Sequence, residues 1–261
     1  MLNFAMQTAR DAGGIIASRF GRVLQVSNKG DIDLVTESDL ASENLIIERI
    51  KSHYPRHAIL AEESGATDGI RDTPGRSEWK WIIDPLDGTT NYAHGYPCYC
   101  VSIAVEREGK LEIGVIYDPT RDEMFAAERG QGATLNDRRI RVSAVDDLNR
   151  AMLCTGFPYN VRERPNFARD FVKFTMSAQA VRRDGSASLD LACVACGRFD
   201  GFWEDGLNPW DIAAGVLLIE EAGGRVTDFR GARLDIYTPR VLASNGLVHG
   251  AMMDVLNGPL N

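Results

Sequence analysis

The chain has no long apolar run. Its longest clearly apolar stretch, Ile212 to Ile219, has eight residues, well short of the ~20 that a membrane-spanning helix needs. Arg10 and Asp11 interrupt the segment from Met1 to Phe20, so it lacks the continuous hydrophobic stretch of a secretory signal and reads as an amphipathic helix. Basic residues are in deficit: 29 Lys and Arg stand against 37 Asp and Glu, a formal net charge of −8, which argues against electrostatic binding to nucleic acid. The basic clusters that exist, Arg182-Arg183 and Arg138-Arg139-Ile140-Arg141, are short and read as solvated surface or subunit contacts. Five cysteines are an odd number, so at least one cannot pair within the chain and no disulfide framework is expected. Cys193-Val194-Ala195-Cys196 has redox spacing, but it lies mid-helix with no second pair and no nearby histidine, so buried small-residue packing is the favoured reading. Four dispersed histidines nominate no catalytic base. These absences predict a cytoplasmic protein with no membrane partner.

What is present begins with ample apolar content, 44% of 261 residues, enough for one large domain or two smaller ones. Helical patterns run from about Leu2 to Phe20, Ser38 to Lys51, Pro165 to Ser177, Ser186 to Cys196 and Pro209 to Ala222. Val101 to Val105 and Leu111 to Tyr117, separated by Glu108-Gly109-Lys110, read as a hairpin, followed by a strand from Met124 to Glu128. That succession predicts an antiparallel sheet, and the alternation after Asp147 predicts a second sheet flanked by helices, hence an α+β fold. With no linker or repeat to divide them, the halves are placed at residues 1–146, carrying most of the acidic motifs, and 147–261.

The chemistry concentrates in Trp81-Ile82-Ile83-Asp84-Pro85-Leu86-Asp87-Gly88-Thr89-Thr90-Asn91. Gly88-Thr89-Thr90 supplies a turn whose N–H groups open a helix, where free donors favour an anion such as phosphate. Asp84 and Asp87 stand beside it, although like charges ~4 Å apart repel by roughly 4 kcal/mol at an effective dielectric near 20. A hard divalent cation reconciles carboxylates with phosphate. Read alone, the motif is also compatible with a plain turn in which Asp87 caps a helix. Further acids at element ends, Glu62 in Ile59-Leu60-Ala61-Glu62-Glu63-Ser64-Gly65 and Asp211 in Asn208-Pro209-Trp210-Asp211, complete an oxygen-only donor set that suits Mg²⁺ rather than zinc. Thr36 and Asp39 are spaced as a helix N-terminal capping pair. Lys29 sits in a polar run and reads as a solvated loop charge. Glu204, beside Phe202 and Trp203, is otherwise an exposed strand-edge charge. Ser186 and Ala187 suit a helix cap and a helix interior.

The ordered series Glu62-Glu63-Ser64, Asp84-Pro85-Leu86-Asp87-Gly88-Thr89-Thr90-Asn91 and Trp210-Asp211-Ile212-Ala213-Ala214-Gly215 resembles the inositol monophosphatase family, most closely its bacterial inositol-1-monophosphatase branch. The resemblance extends from Asp33-Leu34-Val35-Thr36-Glu37-Ser38-Asp39 to Glu221-Ala222-Gly223-Gly224. It implies a five-layered α-β-α-β-α sandwich of the inositol monophosphatase and fructose-1,6-bisphosphatase type. It implies one Mg²⁺ at Glu62, Asp84 and the Leu86 carbonyl, a second at Asp84, Asp87 and Asp211, and a weaker third near Glu62. Thr89 and Asp39 are then expected to help activate the attacking water, with Lys29 nearby and Gly88 and Thr89 on the phosphate. Asp87, Gly185, Ser186, Ala187, Glu204 and Asp211 are expected around the substrate alcohol. The implied activity is hydrolysis of myo-inositol 1-phosphate by a homodimer sensitive to lithium. Histidinol phosphate, fructose 1,6-bisphosphate and 3′-phosphoadenosine 5′-phosphate remain alternative substrates, and a regulatory protein that keeps the fold is the non-enzymatic alternative. Asn208-Pro209 and Phe157-Pro158-Tyr159 receive no assignment.

Overall fold

The computed structural model describes residues 1–22, 26–28, 34–69, 77–157 and 166–259. A short antiparallel pair, β1 (Val26–Asn28) and β2 (Leu34–Thr36), lies between α1 (Leu2–Arg19) and α2 (Glu37–His53). Next come β3 (Ala58–Ala61), β4 (Gly65–Thr67), β5 (Trp79–Asp87), the one-turn α3 (Thr89–Ala93), β6 (Cys100–Arg107), β7 (Lys110–Asp118), β8 (Glu123–Glu128), β9 (Gly132–Leu135) and β10 (Arg138–Arg139). The second half runs β11 (Met152–Thr155), α4 (Asn166–Ser177), β12 (Ala180–Arg182), α5 (Ala187–Ala195), β13 (Gly201–Asp205), α6 (Pro209–Glu221), β14 (Arg225–Thr227), β15 (Arg240–Ser244) and α7 (His249–Asn257).

Strands β3 to β10 form one eight-stranded sheet in the order β10-β9-β8-β7-β6-β5-β3-β4, and a five-stranded sheet has the order β12-β11-β13-β15-β14. The first is antiparallel as expected except for β3 beside β5, which are parallel. Period-two alternation sorts side chains onto two faces of each sheet. On β5 and β6, Trp81, Ile83, Val101 and Ile103 pack with Ala5, Ala9, Ile16, Ile46 and Ile50 of α1 and α2. The intervening Ile82, Cys100 and Ala104 pack with Leu191, Ile212 and Leu217 of α5 and α6. In the second sheet Cys154, Phe202 and Ala243 join that same central core. Leu153, Trp203 and Leu242 face Phe174 of α4 and Met252 and Leu256 of α7. The layers are therefore α1/α2, sheet, α5/α6, sheet, α4/α7, the five-layered sandwich expected. Helix α6 is apolar all round, burying Ile212 through Ile219 without a break, because it is enclosed between two sheets.

Among the described residues no helix is long and apolar enough to cross a membrane. One sequence expectation fails here: Cys193 and Cys196 are not mid-helix and fully buried. Cys193 lies in the last turn of α5, Cys196 caps it, and both are half-buried.

Candidate active site

β3 and β5 run parallel with Ala61 opposite Ile83, so the next residue of each, Glu62 and Asp84, emerges at the same end of the sheet. Asp84 and Asp87 are three apart, and strict alternation would send them to opposite faces. A register shift between them pairs Asp84 with Ser102 but Asp87 with Cys100. The extra residue of this bulge returns both carboxylates to the face covered by α5 and α6. Pro85 is tolerated there because a bulge frees it from donating to the ladder, and its carbonyl accepts the Ser42 hydroxyl at 2.8 Å.

Gly88 then turns the chain at φ +93° as the N-cap of α3, in a space where a Cβ would meet the Cys98 carbonyl oxygen at 2.7 Å. Only glycine accepts both demands. The buried Thr89 hydroxyl reaches the Asp39 carboxylate at 3.0 Å and the Leu86 carbonyl at 2.9 Å. Asp39 is also held by the backbone N–H and hydroxyl of Thr36, at 2.9 and 2.5 Å. It completes a capping box at the start of α2, so the cap and the contact with Thr89 coexist. Burial raises its pKa, and the bonds from Thr36 and Thr89 oppose the rise.

The second half contributes through two helix N-termini. Asp87 accepts the Ser186 hydroxyl and the Ser188 N–H, each at 2.7 Å, at the opening of α5. Ser186 is the N-cap of α5, so its hydroxyl is engaged with Asp87. Asp211, third residue of α6, accepts the Asn208 N–H at 2.6 Å in another capping box. That supplies Asn208-Pro209 with a role: the pair starts α6 and fixes Asp211. Asn91 ties the halves by donating to the carbonyls of Cys98 and Asp184, each at 2.8 Å.

These groups surround one cavity of about 210 Å³ lined by Glu62, Asp84, Leu86, Asp87, Gly88, Thr89, Gly185, Ser186, Ala187, Glu204 and Asp211. Lys29 and Pro158-Tyr159 lie outside the described residues. Asp84 titrates well above the usual carboxylate range, raised first by burial and then by the charges of Glu62, Asp87 and Asp211. Asp211 is raised in the same way, by burial and then Asp87. Among the described residues no group of three or more His, Cys, Asp or Glu side chains stands arranged to hold a metal ion. The donors nevertheless fit a hard cation, since all are oxygens and their mutual repulsion is what a positive charge relieves.

Glu204 is not the exposed strand-edge charge that its neighbours suggest. It sits on the central strand β13, between β11 and β15, only 6% exposed. Its carboxyl is pushed up to about 8, by burial first and by Asp87 second. Its Oε2 has no hydrogen-bond partner among the described residues, and neither does Oδ2 of the buried Asp190.

Sequence reasoning passed over Asp190 and Gly156, singled out Phe157 without assigning it, and set Arg183 on the surface or at a subunit contact; all four line the cavity. The Arg183 guanidinium lies 5.2 Å from the centre of the Phe157 ring. Asp190 had a readable signal, an acid inside the apolar run Leu189-Asp190-Leu191 of a buried helix.

An α-β-α-β-α sandwich with acids gathered where two parallel strands end, beside a glycine turn, defines the inositol monophosphatase type of α+β protein. The chain belongs to the inositol monophosphatase family, whose model matches residues 1–259. It is 47% identical over 257 residues to an inositol-1-monophosphatase of Synechocystis, covering 98% of this chain and 88% of that protein. It is 46% identical to the Nus factor SuhB of Escherichia coli K12, covering 97% and 94%. Among solved structures, the extragenic suppressor protein suhB from Bartonella henselae superposes with a TM-score of 0.92 at 41% identity, over 98% of this chain and 97% of that one.

Proposed function

We propose that this chain is a Mg²⁺-dependent phosphomonoesterase that hydrolyses myo-inositol 1-phosphate and related polyol phosphates to alcohol and inorganic phosphate by direct attack of water. The observation that carries this reading is the set of buried and half-buried, mutually repelling carboxylates lining one cavity beside the Gly88-Thr89 turn. Glu62, Asp84, the Leu86 carbonyl, Asp87 and Asp211 would hold two to three Mg²⁺ ions, which supply polarisation of the phosphoryl oxygens and acidification of water.

The protein's own groups then position the reactants. Asp39 and the Leu86 carbonyl both attract the single Thr89 hydroxyl hydrogen, so the Thr89 lone pairs face outward to accept a hydrogen bond from the attacking water. The N–H groups of Gly88 and Thr89 orient phosphate oxygens, whose charge grows during in-line transfer. Glu204 accepts hydroxyl hydrogens of the alcohol through its unpartnered Oε2. Gly185 and Ala187 shape that subsite, and Ser186 contributes by orienting Asp87. Lys29 is assigned near the water on resemblance alone.

Phosphate release from myo-inositol 1-phosphate, histidinol phosphate, fructose 1,6-bisphosphate and 3′-phosphoadenosine 5′-phosphate tests the substrate. We expect inositol 1-phosphate to turn over fastest; another winner would replace the alcohol subsite and keep the hydrolytic one. Homodimerisation and inhibition by millimolar lithium belong to the same reading. A monomer by light scattering, or turnover indifferent to LiCl, would remove them. A second role as a protein factor in the cytoplasm is favoured by the Nus factor SuhB relative; silence across the whole panel would make it the primary one.

A further inference from the structure

The end of α5 brings two thiols together, away from the carboxylate cavity. Gly197 takes φ +77° and closes the helix, with its N–H on the Val194 carbonyl at 3.1 Å and the Arg198 N–H on the Cys193 carbonyl at 2.9 Å. This is a Schellman turn. It places Cys196, three residues after Cys193, on the same side of the helix end. The Cys196 thiol donates to the Cys193 carbonyl at 3.5 Å. Both are half-buried, whereas Cys98, Cys100 and Cys154 are buried. Cys193 also borders a solvent-connected groove of about 320 Å³ shared with Cys98, Arg121 and Arg198.

The thiols differ in acidity. Cys196 is pushed down to about 7, first by the hydrogen bond from Cys193, against burial, and then by the Arg198 charge and N–H. Cys193 is pushed up by the same hydrogen bond and by burial. Burial pushes Cys98 up to about 12, and Cys100 and Cys154 well above the ordinary thiol value. The helix C-terminus disfavours an anion; the Cys193 hydrogen bond first and Arg198 second oppose that penalty at Cys196, while Glu123, paired with Arg198 at 2.6 and 2.5 Å, works against them.

We propose that Cys193 and Cys196 are a peroxide-sensitive dithiol, in which Cys196 is oxidised first and Cys193 closes a disulfide within α5. The Cys196 thiolate attacks a hydroperoxide, an S–O bond forms as the O–O bond breaks, and hydroxide or alkoxide leaves. Cys193 sulfur then attacks Cys196 sulfur, the S–O bond breaks, and the departing hydroxide takes the Cys193 proton as water. With hydrogen peroxide, two thiols and one peroxide give one disulfide and two waters. A dithiol reductant reverses the product. Residues three apart at a helix end are close enough to bridge with small backbone movement.

The tryptic peptide of residues 184–198 contains Cys193 and Cys196 and no other cysteine, so peptide mass spectrometry of the whole reduced protein reads the pair directly. Near-stoichiometric hydrogen peroxide followed by alkylation should yield this peptide lighter by two hydrogens and unalkylated. Cys193→Ser should stop at a sulfenic acid on Cys196 that dimedone traps, and Cys196→Ser should react at least ~10-fold more slowly. Circular dichroism checks that each variant is folded, and the pH profile of Cys196 alkylation in the unmodified protein gives a readout free of mutation. Equal oxidation of all five cysteines, a Cys98–Cys193 bond instead, or Cys196 alkylation with the profile of an ordinary thiol would overturn the proposal.

Discussion

A methyl group on Gly156 would sit 2.2 Å from the Glu204 carboxylate, so the empty side chain at this position is what lets Glu204 occupy the cavity wall. Gly156→Ala should displace Glu204 and raise KM for a polyol phosphate by about tenfold, the scale of one lost hydrogen bond. Turnover of an aryl phosphate that lacks hydroxyls should stay nearly constant; steady-state kinetics on both substrates checks this. Asp84 carries the opposite compromise. Its raised pKa means that the folded, metal-free state binds the proton more tightly than the unfolded chain, so ionisation at neutral pH costs stability. Asp84→Asn should therefore raise the metal-free unfolding free energy by about 1 kcal/mol while lowering activity at least ~100-fold. Denaturant unfolding in EDTA measures the first and phosphate release the second. The acids of the cavity were legible because hard-oxygen residues at element ends are an unusual composition. Asp190 carried a signal too, an acid inside an apolar helical run, but Arg183 did not, because its place depends on how the chain turns between β12 and α5.

At the scale of elements, the helices α1, α2, α5 and α6 follow the sequence patterns to within about two residues, since caps and apolar periodicity are local properties. The bulge in β5 is different. Nothing in Asp84-Pro85-Leu86-Asp87 specifies locally that Asp87 pairs with Cys100; the partner strand decides it, and with it the face on which both carboxylates stand. Helix α7 is fastened by a similar non-local contact. Its first residue, His249, is fully buried and bridges Thr227 of β14 and Ser244 of β15, each at 2.9 Å. Burial first, and Arg225 second, push its pKa down to about 4. The unfolded chain then binds this proton more tightly, so stability is intact above the ordinary histidine value and falls as pH drops toward 4. Between about pH 6.5 and pH 5 this one group should cost about 1–2 kcal/mol. Denaturant unfolding across that range should show a shallower pH slope in His249→Asn than in the unmodified protein.

In the whole molecule, the fold class was readable from the order of strands and helices, whereas the central helix layer shared by two sheets was implied only by the family resemblance. Helices α5 and α6 come from residues 147–261, yet they cover the inner face of the sheet built from residues 58–139. We propose 1–146 and 147–261 as its two halves, joined by this shared layer and by the bridge from Asn91 to Asp184. The site draws on both: Glu62, Asp84 and Asp87 from the first, Glu204 and Asp211 from the second. The most direct test is phosphate release from myo-inositol 1-phosphate by metal-stripped protein as Mg²⁺ is returned, with Asp84→Asn in parallel. The account predicts no turnover in EDTA, recovery that saturates with Mg²⁺, and little recovery in the variant; turnover that persists in EDTA, or a variant that recovers like the unmodified protein, would contradict it.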